Sequence, residues 1–102
     1  MEEQLIQSDD PFIQYVDQFP ALRGPVNGAL FTLHQMPFTS ELLNDSALPR
    51  EEKIFILQAA RDAAATIAAI AREGGFEDVA HMYSCTYDRY CRALLTFWRE
   101  VA

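Results

Sequence analysis

PREEKIFILQAARDAAATIAAIAREGGFEDVAHMYSCTYDRYCRALLTFWREVA, residues 49–102, decides how this chain folds. Pro49 opens a helix with Glu51 and Glu52 in its first turn, where carboxylates favour the positive end of the helix dipole. Ile56, Ala60, Ala63, Ile67 and Ile70 recur at alternating steps of four and three, a heptad-like seam. Leu57, Ala64, Ala68 and Ala71 form a second apolar stripe beside it. This helix runs to Arg72 or Glu73 and stops at Gly74-Gly75. Another helix then starts near Phe76 and reaches Val101. Along it Phe76, Val79, Tyr83, Tyr87, Tyr90, Leu94, Phe97 and Val101 repeat at threes and fours, flanked by Cys91, Leu95 and Trp98. So short a break makes the two helices antiparallel neighbours. Large rings on one then face alanines on the other, the complementarity that dense packing favours.

Upstream the segments are shorter. Asp9-Asp10-Pro11 reads as a helix start, with Asp10 as cap and Pro11 in the first turn. That helix runs to about Gln18, with Phe12, Tyr15, Val16 and Phe19 on one face, and Pro20 ends it. Gly24-Pro25 opens a second helix carrying Val26, Ala29, Leu30 and Leu33, which Pro37 closes. Gly28 inside it costs about 1 kcal/mol relative to alanine. A strand over Ala29–Met36 is the weaker alternative, because the alternation breaks at Leu30. Thr39 or Ser40 caps a short third helix holding Leu42 and Leu43, and Asn44-Asp45-Ser46 forms a turn. Residues 1–8 read as a flexible tail. The expectation is one all-α domain over residues 1–102: a small helical bundle, with short N-terminal helices packed on a long C-terminal antiparallel hairpin.

The chain has 102 residues, half of them hydrophobic, and a formal charge of −7. A domain of this size hides only roughly 60–70% of its unfolded surface. The apolar surplus therefore predicts a homodimer that completes the core between copies. The charge is concentrated: residues 1–45 carry seven acids (Glu2, Glu3, Asp9, Asp10, Asp17, Glu41 and Asp45) against Arg23 alone. Such a surface repels a phosphate backbone, so no nucleic acid is expected as a partner. It suits solubility or a basic protein surface. The first ten residues are acidic where a secretory signal is basic. The longest apolar stretch, Ala63–Ala71, falls well short of the ~20 residues that span a bilayer. A cytoplasmic protein without a membrane partner is expected. Cys85 and Cys91 share one helix and lie about 9 Å apart along its axis, too far to bridge within the chain, so reduced thiols are expected.

Chemistry-bearing residues are sparse. Asp78, His81 and Cys85 share a helix face and are all metal-ligand types, but a structural zinc site usually takes four ligands from more than one element. With His34 the only other histidine, no metal or cofactor is expected. His81 and Cys85 are one turn apart, within reach for a base–nucleophile pair, yet no orienting third group or oxyanion pocket accompanies them. No catalytic residue is assigned, and the chain reads as a non-enzyme.

The remaining signal points to protein binding. Tyr83, Tyr87, Tyr90, Phe97 and Trp98 are interleaved with Arg89, Arg92 and Arg99, the residue types that dominate interface hot spots. Tyr83, Tyr87 and Phe97 lie on the main stripe and read as core. Tyr90, Leu95 and Trp98 are candidates for a partner surface. Ala60, Ala64, Ile67, Ala68, Ile70 and Ala71 are candidates for the dimer contact, where two copies of the alanine-rich helix cross closely. Function then reads as a small regulator of the inhibitor or anti-activator type, covering a partner protein's functional surface by helix packing. Two rivals are a secretion or assembly chaperone that holds an amphipathic client, and an acidic decoy of phage type acting through Asp9, Asp10, Asp17, Glu41 and Asp45.

Overall fold

A computed structural model describes the backbone of residues 10–37 and 39–101, and the side chains of residues 10–37 and 39–97. The tail expected over residues 1–8 lies outside the described residues. The protein is all-helical: α1 (Pro11–Asp17), α2 (Pro20–His34), α3 (Thr39–Leu43), α4 (Arg50–Glu73) and α5 (Glu77–Val101), with no strand among the described residues.

Local chemistry sets most of the boundaries. Asp10 accepts a hydrogen bond from the Phe12 N–H at 2.8 Å and caps α1. Phe19 is extended (φ −123°, ψ 97°), as a residue before proline prefers, and this breaks α1 from α2. Pro20 thus begins a helix instead of only ending one. The sequence-based expectation that α2 opens at Gly24-Pro25 is corrected here: Pro25 lies inside the helix. Proline costs a helix one hydrogen bond, the one that Ala21 would accept. Ala21, Gly24 and Pro25 are all exposed, so the freed carbonyl sits on the wet side. Val26 and Ala29 of the same helix are buried.

The turn between α4 and α5 is specified atom by atom. Gly75 takes φ +85°, the conformation that side chains resist. Its N–H donates to the Arg72 carbonyl at 3.2 Å, and the Phe76 N–H donates to Ala71 at 2.8 Å. These two bonds close a helix on a left-handed glycine. Gly74 serves a different need. A Cβ there would stand 2.9 Å from the Tyr15 ring, which lies tilted against Phe76 with ring centres 5.3 Å apart. Gly75→Ala is expected to cost about 1–2 kcal/mol from backbone strain alone, since no atom lies within 4 Å of the added carbon. Chemical denaturation with an unchanged m-value checks this.

At the far end Arg50 ties the hairpin shut. Its guanidinium donates to the Phe97 carbonyl at 2.8 Å and lies 5.7 Å from the centre of the Phe97 ring. Lys53 donates to the Leu43 carbonyl at 3.1 Å, holding α3 to the start of α4. Asp45 accepts from the Ala47 N–H at 3.0 Å within the intervening turn.

The hairpin of α4 and α5 carries the core, with α2 packed on α4, α1 on α2 and α3 on α5. Two buried clusters result. One joins Phe12, Val16, Val26, Ala29, Ile67, Ala71, Ala80 and Tyr83 near the glycine turn. The other joins Leu42, Leu57, Ala60, Tyr90, Ala93, Leu94 and Phe97 at the opposite end. The molecule measures 45 × 28 × 21 Å. Its least dimension equals about two helix diameters, each ~10–12 Å. Two layers of helices can cover a hairpin on one side only.

Candidate functional site

The structure divides the residues singled out as a partner or dimer surface. Ala60, Ala64, Ile67, Ala68, Ala71 and Tyr90 are buried within the single chain, and Ile70 is half-buried against the same core. Leu95 is 43% exposed on α5. The side chain of Trp98 lies outside the described residues. A two-fold contact is expected from the sequence through Ala60, Ala64, Ala68 and Ala71, and in the single chain all four are buried. Those alanines already meet neighbours in their own chain, and they offer no surface to a second copy. Periodicity shows that a helix is apolar on two sides, but not which neighbour covers each.

Other apolar groups are left outside. Phe55 on the first turns of α4 is 71% exposed, and Phe31 on α2 is 64% exposed. Phe19, Met82 and Tyr87 also face solvent. The outward stripe of α4 continues through Ala59, Asp62 and Ala69. By length and composition alone, α4 is apolar enough to cross a membrane, with a mean hydropathy of 1.5 over its best 18-residue window. The core helix of a packed bundle has the same composition. In α4, seven residues from Leu57 to Ala71 are buried against other helices.

On the open side of the hairpin, Ala65, Ala68, Arg72, Ser84 and Tyr87 line a shallow cleft of about 250 Å³. Arg72 donates to the Ser84 hydroxyl at 3.1 Å across it, linking α4 to α5. The tyrosine hydroxyls of α5 resist ionisation for different reasons. Burial raises the pKa of Tyr83, with the Asp10 carboxylate adding to it. Burial also raises Tyr90, against an opposing effect of Arg89. At exposed Tyr87 the main cause is the neighbouring Cys91 side chain, which raises it. None of the three is poised to exchange a proton near neutrality.

The remaining polar groups fall into local roles. Cys85 and His81 meet on the exposed face of α5, with Sγ 3.7 Å from Nε2. Both cysteines are free thiols. Asp78 is exposed, and among the described residues no three His, Cys, Asp or Glu side chains come together. Asp62 pairs with its neighbour Arg61 at 3.1 Å, and Asp88 with Arg92 at 3.6 Å. Of the acids proposed for a decoy, Asp10 caps α1 and Asp45 closes a turn, so local structure already accounts for two of them.

Compared with known proteins, the chain matches no family, no curated protein and no solved structure. The geometry above is what bears on function.

Proposed function

We propose that this chain is a non-enzymatic, cytoplasmic regulator that binds a protein partner by apolar helix packing, covering a functional surface of that partner as an inhibitor or anti-activator does. In this reading the short N-terminal helices and the α4–α5 hairpin form one small bundle, and the hydrophobic side chains left outside it are the contact. One observation carries the reading. Phe55 and Phe31 hold 71% and 64% of their surface in water, and neither belongs to the two buried clusters. Fully burying a phenylalanine is worth about 1.5–3 kcal/mol, so each exposed ring is a substantial reserve of binding energy. Single exposed apolar residues are common on protein surfaces. Phe31 and Phe55 stand on helices that pack on each other, and in this reading both rings belong to the docking surface.

The test is capture of partners from extract of the native host, comparing the wild-type chain with the Phe31→Ser/Phe55→Ser double variant. Both positions are exposed, so stability should change by only about 0.5 kcal/mol per site. The wild type should retain a specific protein in stoichiometric amount, and the variant should lose it. Retention should persist in high salt, because apolar contacts are not screened. Equal capture by the variant would reject this surface, and capture abolished by salt would favour the acidic decoy instead.

A further inference from the structure

We propose that His81 and Cys85 form half of a zinc-type metal site, completed by the same pair from a second copy of the chain. A single chain supplies too few ligands, but the two it does supply are set at the right separation. With Zn–S near 2.3 Å and Zn–N near 2.0–2.1 Å, a tetrahedral angle places the two donor atoms about 3.6 Å apart. In α5 the Cys85 Sγ and His81 Nε2 are separated by 3.7 Å. The spacing follows from the helix, because residues four apart lie one above the other on the same face.

Both side chains are exposed, and neither belongs to the buried clusters, so a cation can reach them from solvent without displacing the core. The donor set narrows the metal. One thiolate and one imidazole suit zinc and its neighbours among the transition metals, whereas calcium and magnesium take oxygen ligands. Two-fold symmetry turns each pair into its own complement. Two chains then provide His₂Cys₂, the four-ligand closed set of structural zinc sites. Met82, half-exposed beside the pair, adds apolar area to such a contact. Binding forms Zn–S and Zn–N bonds, and each Cys85 thiol releases one proton to the buffer.

The experiment titrates the purified, reduced, metal-free chain with Co²⁺ as a spectroscopic probe and then with Zn²⁺, following absorbance and mass by light scattering. The expected result is saturation at one metal per two chains. Tetrahedral Co²⁺ bands and a thiolate-to-metal charge-transfer band should appear together, as the mass rises twofold. A chelator should reverse both. His81→Ala and Cys85→Ser should each abolish the spectrum and the mass change, and Cys91→Ser should keep them. Circular dichroism verifies that these variants stay folded. Saturating Co²⁺ with no spectral change overturns the proposal, as does a signal that survives in His81→Ala. One metal per chain at monomer mass overturns it too, as does a dimer whose mass ignores metal and chelator.

Discussion

Ala64→Glu should unfold the chain instead of separating two folded copies. Ala64 has no exposed surface and lies on α4 within the layer that meets α5. Glutamate is nearly as good a helix former as alanine, so propensity contributes only a few tenths of a kcal/mol. The damage comes from two other sources. The added atoms overpack a filled interior, at about 1–3 kcal/mol. The carboxylate must also lose its hydration without gaining a partner, at several kcal/mol more. Against a total stability of about 5–15 kcal/mol for a domain this small, that sum removes most or all of the fold.

Far-UV circular dichroism and urea titration check this, and a cooperative melt within a few degrees of the wild type would defeat the packing assigned to α4. The pH dependence supplies a second check. Burial raises the folded-state pKa of the introduced glutamate above its unfolded value of about 4.3. Its penalty is therefore smallest below pH ~4 and grows as the pH rises toward the folded pKa. Relative to wild type at each pH, the variant should lose most at neutrality.

Phe12→Ala should cost about 3–5 kcal/mol, the usual range for deleting a fully buried ring. Phe12 has no exposed surface and meets Phe76 edge-on, with ring centres 5.6 Å apart. It thereby joins the first helix to the turn between the last two. A seven-residue helix cannot persist alone in water. Once its anchor is lost, the Asp10 cap and the Tyr15 ring over Gly74 have little to hold. The variant should show its greatest loss of amide protection over residues 10–20, beyond the global destabilisation. If protection there falls no more than in α5, then α1 is held by something other than Phe12.

Much of this architecture was legible because its signals are local. The Gly74-Gly75 stop, the acidic first turn of α4 and the Asp10-Pro11 start each act within a few residues. The helix boundaries they mark agree with the structure to within a residue. Pro25 misled for a physical reason. Part of proline's cost in a helix is its missing hydrogen bond, and here Ala21 and Pro25 are exposed, which lowers that part of the cost. Phe19-Pro20 held the real boundary, in the extended geometry that proline imposes on the residue before it.

The candidate surface was less legible. Ala64, Ala68 and Tyr90 looked like contact residues by the same criteria that make them core, since small residues and amphipathic rings suit both roles. Phe55 and Phe31 carried no distinguishing pattern, because each sits in an ordinary run of apolar residues. The 3.7 Å approach of His81 to Cys85 was different, since residue type and four-residue spacing already placed the pair in reach.

The amino-acid sequence alone determined that this chain is helical, where its long helices begin and end, and that the last two fold back on each other. Those outcomes follow from backbone preferences and from side chains a few positions apart. Only the tertiary structure decided which apolar stripe is covered. With α2 packed on α4, α3 on α5 and α4 on α5, Ala64 and Ile67 are buried and Phe55 is left in water. That choice depends on how distant segments share a limited volume, and no periodicity along a single helix records it.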